Sequence, residues 1–585
     1  MPSPATCRLA SAIEQIAAQQ AVIAKLEALL WDNGFNEALL AAYQSAWQRL
    51  EVLIATRDDD RRHHFVLVIP VADSPQQLKT CLDSLLELCR VFGYGGMRNG
   101  YFQKVSIIIA DDTQDADLIA AHKAIARAVD QQGIATTYFG LTEQIALLDT
   151  IELAASLAPI VGNTPREAFG HKGQAMMRNL VYLKLAQMQA SDAPLLIYTL
   201  DADQQFKVKV KTANGDRNVC AVNFFAELDA IFSETSALVL TGKVVGDPPV
   251  SPAVMAGNFL DDVTGFLCEM AAGDPSQPYD QHVVKSLEAD AAYHDMAELF
   301  GFKHTGEPYR YRCALEGSPS NVDCFGDFAA RLNRFFHGEH PTRVSHFRHQ
   351  TTLASVQPAR TVYTGNYVFR PEALGWFIPF ASLRLRMSGP TLGRLMKAEL
   401  GARFVSANLP MLHTRTLDAT GEAEFRPGVI ASHDAIDLSD EFERQFYGDV
   451  MLFTVERLTS LGYPQQVISD QAIAGTLDEV HHEMDQKYRT SHEATVKKLD
   501  ALSTLLNDPA HWWHTPAHAD ALARFRAFLD NMQHNFGADS PGHKRIVCAE
   551  NWQSWRTRQL AALSRFRQDR HAWNQALTAL KSLPE

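Results

Sequence analysis

Asp201 and Asp203 stand two residues apart, directly after the apolar run Leu195–Leu200 (LLIYTL). An Asp-x-Asp at the end of a buried strand offers hard carboxylate oxygens at the place where an open parallel sheet binds its ligands. Mg²⁺ or Mn²⁺ suits such donors and keeps positions open for phosphate oxygens, and the cation would stabilise a departing diphosphate as a Lewis acid. In an ordinary loop the same pattern is a solvated turn or a helix cap, so the position behind LLIYTL is what favours chemistry. Two further apolar runs end alike: Phe65–Pro70 leads into Val71-Ala72-Asp73, and Val105–Ala110 into Asp111-Asp112. Gly170-His171-Lys172-Gly173 opens a helix-like stretch that carries Arg178 and Asn179. Glycine lets a backbone approach phosphate, a helix N-terminus favours anions, and Lys172 and Arg178 add charge. The plainer alternative for this segment is a tight turn before a core helix with exposed cations.

The elements that must position these residues alternate. Strand-like runs at 65–70, 105–110, 135–139 and 195–200 are interleaved with helical patterns at 75–91 and 115–131. That alternation predicts an α/β, Rossmann-like, mostly parallel sheet flanked by helices. Residues 8–56 carry apolar residues at helical spacing around the turn-like Asp32-Asn33-Gly34, and the charged run Arg57–Arg62 marks a boundary. The expected organisation is a helical hairpin over 1–62, a core over 63–437 with an irregular insertion at 271–358, and a helical region over 438–585. Thr241–Pro249 reads most simply as a structural hairpin. In the insertion, Arg331, Arg334, Arg343 and Arg348 crowd with His337, His340, His346 and His349 around Phe335, Phe336 and Phe347. This is either a subsite for an anionic acceptor or a solvated mixed-charge insertion.

The chain has 585 residues, enough for two or three packed units. It is 46% hydrophobic and 21% charged, the composition of a folded protein. A net charge of −14 argues against a nucleic-acid partner. The eight cysteines form no CxxC pair, a reduced, intracellular pattern. Neither an apolar signal core nor a bilayer-length run is visible. A cytoplasmic location without a transmembrane segment is the expectation.

Taken in order, VLVIPVADSP, VSIIIADDTQD, GHKGQAMMRN, LIYTLDADQQF and GNYVFRPEAL resemble the nucleotide-sugar glycosyltransferases of the GT-A fold, especially the family 2-like group. The resemblance implies transfer of a hexosyl group from a UDP- or GDP-sugar to a hydroxyl acceptor, with Mn²⁺ or Mg²⁺ as cofactor. It implies that Pro70, Ala72 and Asp73 line the nucleobase and ribose pocket, with Asp111 or Asp112 on base or ribose. Gly170, Lys172, Gly173, Arg178 and Asn179 would lie beside the diphosphate. Asp201, Ala202 and Asp203 match the metal and ribose-diphosphate motif, with Asp203 central to the reaction. Gly365 and Asn366 match the acceptor-side loop, and Arg370 and Glu372 would border the acceptor pocket.

Two departures bear on mechanism. Inverting members place an acidic pair shortly after the Gly-Asn loop, whereas Ser382–Arg394 (SLRLRMSGPTLGR) contains no Asp or Glu. The run Pro410–Arg415 (PMLHTR) resembles the late His of several retaining members, which makes His413 a third metal ligand beside Asp201 and Asp203. Such an imidazole needs a partner for its other nitrogen. The combination favours a retaining enzyme; for an inverting one, Asp434 and Glu424 are the base candidates. A sugar nucleotidyltransferase is a rival reading, but VADSPQQ lacks the Gly-rich basic loop it requires. A non-catalytic scaffold on the same fold is another. Self-association through the two helical regions is a further expectation.

Overall fold

The computed structural model describes residues 4–581 apart from 58–59, 152–153, 164, 166–168, 189–193, 213–214, 281–310, 418–419, 422–423, 425–427 and 433–434. Nine strands form the central sheet: β1 His64–Val71, β2 Val105–Asp111, β3 Ala135–Phe139, β4 Leu195–Leu200, β5 Gln204–Gln205, β6 Val239–Gly246, β7 Gln357–Pro358, β8 Asn366–Phe369 and β9 Phe404–His413. Their order is β7-β9-β6-β8-β4-β1-β2-β3, with β5 paired to β9. β1, β2, β3 and β4 pair in parallel, and so do β6 and β9. β8 is antiparallel to both β4 and β6 and joins the two parallel groups. The fold is therefore α/β and Rossmann-like, with a mostly parallel central sheet flanked by helices.

The alternation of side chains along each strand splits the interior into two cores. Val66, Val68, Ile108, Ala110 and Ile197 face one core, with the helices Gln174–Gln187 and Pro252–Ala272. Phe65, Leu67, Ile69, Ile107, Ile109, Leu196 and Tyr198 face the other, with the helices Pro75–Phe92 and Phe224–Glu234. Strands buried on both faces are continuously apolar, which is why these runs stand out in the sequence. Pro75 opens its helix, and Gly93, in left-handed conformation (φ 69°), closes it. The segment 241–246 is an interior strand and not an arm of a hairpin. All eight residues of β6 are buried, between β8 and β9.

The N-terminal helices Pro4–Trp31 and Glu37–Ala55 form a hairpin that packs Tyr43, Ala46 and Leu50 into the second core. The helices from Ser439 onward join the first core. Phe525 lies 4.7 Å from Phe325, and Trp573 Nε1 donates to Leu374 O at 2.8 Å. Among the described residues no helix is long and apolar enough to cross a membrane.

Asp449, buried in the helix Ser439–Ser460, accepts from Gln445 Nε2 at 2.9 Å and Tyr488 OH at 2.6 Å. Burial pushes its carboxyl from 3.8 up to about 7. A carboxyl raised in the folded state binds more protons folded than unfolded, so its contribution to stability falls as pH rises from about 4 to about 7. Asp449→Asn cannot ionise and is expected to lose less stability than the wild type over that interval in urea titrations. Identical pH slopes for the two proteins would exclude a buried ionising carboxyl here.

Candidate active site

The C-terminal ends of β1, β2, β4, β6 and β9 share one edge of the sheet. The N-terminal end of β8 meets them there, with Asn366 opposite Leu200. This edge, where the strand order reverses direction, gathers Asp73, Asp111, Asp112, Asp201, Asp203, Asp247, Gly365 and His413.

At its centre Asp203 meets the end of β9. Thr414 N donates to Asp203 O at 3.1 Å, which holds the two segments together. His413 Nε2 lies 3.3 Å from Asp203 Oδ2, and Arg415 Nη1 donates to the same oxygen at 2.5 Å. Asp203 Oδ1 is buried and has no hydrogen-bond partner among the described residues. His413 Nδ1 lies 2.7 Å from the backbone oxygen of Asp247. A carbonyl can only accept, so Nδ1 carries a proton and Nε2 is fixed toward the carboxylate. Burial alone would raise Asp203, but the charges of His413 and Arg415 hold it well below the usual carboxylate range.

Asp201 is engaged differently. Its Oδ1 accepts from Gln174 Nε2 at 2.6 Å and from the Arg178 guanidinium, which also donates to Thr364 O at 3.2 Å. Burial raises Asp201 above the usual range, with Arg178 opposing. The structure thus brings Asp203 and His413 together and turns Asp201 to an arginine. Among the described residues no three His, Cys, Asp or Glu side chains form a metal-holding group. Asp203 and His413 fit a hard divalent cation as a two-donor set, with a partnerless buried oxygen beside an oriented imidazole nitrogen. Mg²⁺ is commonly held by one or two protein groups, with phosphate oxygens completing its shell.

Around this centre, several sequence-predicted residues fix loops. Asp111 accepts from Thr113 N (2.9 Å), His122 Nδ1 (2.9 Å) and Tyr138 OH (2.6 Å). Asp112 accepts from Gly173 N at 2.9 Å and pairs with buried Lys172 at 2.7 Å, whose Nζ also donates to Phe169 O. Asn179 donates to Ile160 O and Ile378 O and accepts from Ile378 N. A Cβ on Gly170 would lie 2.9 Å from Gln114 Cβ, so this loop lies against the exit of β2. Pro70 sits in β1 opposite Ala110, followed by Ala72 and Asp73. Asp73 Oδ2 lies 2.6 Å from His171 Nε2, and both residues have left-handed backbone (φ 52° and 53°). Ala202, buried between the two acids, packs in the second core.

Gly365 leaves no room for a side chain: a Cβ would lie 2.8 Å from Asp201 Oδ2. Asn366 donates to Lys243 O (2.9 Å) and Leu409 O (2.8 Å) and accepts from Tyr198 OH (3.0 Å). Arg370 and Glu372 are not brought to this edge. β8 runs away from it, Phe369 lies opposite Val239 and Ile197, and the Arg370 guanidinium donates to Phe232 O and Ala237 O. Glu424 accepts from Gln76 N and Gln77 N at the start of the helix Pro75–Phe92. Asp434 lies outside the described residues. Several arginines and histidines of the insertion are paired with acids, one within the insertion and three outside it: Arg331 with Asp327, Arg343 with Asp262, His346 with Asp216 and His349 with Glu27.

Sequence reasoning did not single out Arg415, Asp247 or Glu339. Arg415 had a signal, since residues i and i+2 of an extended segment point the same way, here with His413. Asp247 Oδ2 accepts from Arg415 N at 2.7 Å, and Glu339 accepts from Thr416 Oγ1 at 2.5 Å. Burial pushes Glu339 up to about 7, with Asp247 adding to the rise.

No protein-family model matches the chain, and no curated protein matches it. Solved structures similar to it include a mannosyltransferase from Pyrobaculum calidifontis in complex with GDP-Man and Mn²⁺ (TM-score 0.30, 9% identity, 95% of this chain and 98% of that one). Others are S. aureus TarS 1-349 (0.26, 11%, 86% and 91%) and mouse xyloside xylosyltransferase 1 (0.21, 11%, 60% and 78%). TM-scores this low leave each a likeness, with no bearing on what this chain does.

Asn366→Ala would take the amide donors from the buried carbonyls of Lys243 and Leu409 and leave the Tyr198 hydroxyl only its weaker contact with Met411 Sδ. The expected loss of unfolding free energy is about 2–4 kcal/mol, read as a lower urea midpoint. A midpoint unchanged from the wild type would return Asn366 to a ligand-binding role.

Proposed function

We propose that this chain is a metal-assisted glycosyltransferase that moves a hexosyl group from a UDP- or GDP-sugar to a hydroxyl acceptor. The observation that carries the reading is the convergence of Asp203 and His413 at the sheet edge, 3.3 Å apart, with Asp203 Oδ1 left without a partner. In this reading Asp203 and His413 hold Mn²⁺ or Mg²⁺, which supplies positive charge to a departing diphosphate. Arg415 offers a second positive charge at the same place, and Arg178 fixes Asp201 for the donor's ribose side. Gly365 lets its turn lie directly against Asp201, where a Cβ would meet Asp201 Oδ2 at 2.8 Å. Positioning and leaving-group stabilisation then provide most of the rate.

Retention of configuration is the outcome this reading favours, because residues 382–394 place no carboxylate beside the acceptor-side turn. One observation favours the opposite outcome: the buried Glu339 carboxyl accepts from Thr416 Oγ1 at 2.5 Å, three residues past His413, and burial pushes it up. The anomeric configuration of the first-formed product, read by proton NMR, separates the two. Inversion together with loss of turnover in Glu339→Gln would assign the base to Glu339.

The reading itself is tested by thermal shift against UDP-, GDP-, ADP- and dTDP-sugars with and without Mn²⁺. A ligand that binds only the folded state at 100 times its Kd stabilises it by about 2.7 kcal/mol. Stabilisation by one nucleotide class, dependent on Mn²⁺ and abolished in Asp203→Asn, is the expected result. An equal shift in Asp203→Asn would remove Asp203 from the site.

A further inference from the structure

The loop 380–387 leads from the region of the acceptor-side turn into the helix Ser388–Leu400 and holds three non-glycine residues in left-handed backbone: Phe380 (φ 55°), Arg384 (φ 52°) and Met387 (φ 68°). Such conformations are costly for bulky side chains and cluster where a loop is held for function. The helix runs back to the far side of the sheet, where β9 begins at Phe404, so its first turn stands at the Asp201–Asp203 edge. A Cβ on Gly389 would lie 2.9 Å from Thr364 Cγ2, and Thr364 O accepts from Arg178, the partner of Asp201. Gly389, just past the loop, is thus three contacts away from Asp201.

The helix Ser439–Ser460 brings a third arginine onto this loop. Arg444 Nε donates to Arg384 O at 2.6 Å, and Arg386 N donates to Arg444 O at 3.3 Å. Three arginines therefore meet here, with Arg384 and Arg386 close enough to act on the charge of Arg444, and carboxylates pair with two of the three. Arg386 meets buried Glu441 at 3.1 Å, and Arg444 meets Asp440 at 3.9 Å. Arg384 is exposed and pairs with no carboxylate among the described residues. Asp449, the other acid close to Arg386, is turned to Tyr488 and Gln445. Burial, and then repulsion from Arg386 and Arg384, hold Arg444 below the usual guanidinium range. This excess positive charge lies in the stretch where the resemblance led to an expectation of acids.

We infer that Arg384 and Arg444, with Arg386 bracing the loop, bind an oxyanion, and that this anion is the phosphate or carboxylate group of the acceptor. A planar guanidinium pairs bidentately with either group. The acceptor role rests on the transferase reading above; the anion site stands on the arginines alone.

The experiment is calorimetric titration of inorganic phosphate, and of acetate in parallel, into the full chain without metal. Wild type, Arg384→Gln and Arg384→Lys are compared. Phosphate binding weakened about tenfold or more in Arg384→Gln and partly restored in Arg384→Lys is expected. Tighter binding of acetate than of phosphate would identify a carboxylate acceptor, and the reverse a phosphate ester. Phosphate affinity equal in wild type and Arg384→Gln, or no binding of either anion to wild type, overturns the site. That failure is separate from failure of the transferase reading, which the Mn²⁺-dependent nucleotide-sugar shift reports in the same Arg384→Gln protein.

Discussion

The sheet edge that carries the site depends on the three buried hydrogen bonds of Asn366. The register between β6 and β9 shifts between Thr241 and Lys243, and such a bulge takes backbone groups out of the ladder. Buried carbonyls without partners are costly. The Asn366 amide donates to Lys243 O on β6 and Leu409 O on β9, and its oxygen takes the Tyr198 hydroxyl of β4. One side chain thus ties four strands together. Gly242 makes room for it, because a Cβ there would lie 2.3 Å from Asn366 Nδ2. After the bulge the register runs on to place His413 opposite Gly246, which sets the imidazole beside Asp247 and Asp203.

The electrostatics of that edge follow from desolvation. Carboxylates this deeply buried are costly unless paired: Asp112 has Lys172, Asp201 has Arg178, and Asp203 has Arg415 and His413, whereas Asp247 accepts from the backbone N of Arg415. In the proposed reaction, a diphosphate with its cation adds both signs together, so the guanidinium of Arg415 can move from carboxylate to phosphate without either charge being left alone. The left-handed pair Asp73 and His171 joins the β1 exit to the glycine-flanked loop at the same edge.

What was legible in the sequence follows the same physics. β1, β2 and β4 were readable because burial on both faces makes them apolar and continuous, and the acids behind them fall at the common edge because the strands are parallel; β3, at the end of the sheet and largely exposed, was readable from the β-branched and aromatic residues of ATTYF. His413 was readable from its neighbours in the chain. Arg370 and Glu372 were misplaced because β8 is antiparallel: four residues at about 3.3 Å each carry the chain some 13 Å from Gly365 to the far edge. A loop would have kept them near Asn366, and nothing in NYVF gives strand direction. Asp112, Lys172 and Asn179 had the right types for ligand contact, yet their hydrogen bonds to loop backbone and to one another reflect the prior demand that buried polar groups be satisfied.

The C-terminal helices show why a motif-based boundary near residue 437 understates the site. They bury Phe525, Phe528 and Trp573 in the core that also takes Val66, Ile108 and Ile197. Trp573 also donates to the 3-10 turn Pro371–Gly375 that follows β8. Arg444 comes from the first of these helices, and Gly448 lies one turn later, where a Cβ would be 2.4 Å from Arg386 O. The strained loop 380–387 therefore lies between the turn at Thr364 and Gly365 and a helix some sixty residues further along the chain. An arginine cluster assembled in this way has no local pattern in the sequence, because its members share a place in the fold and no spacing along the chain.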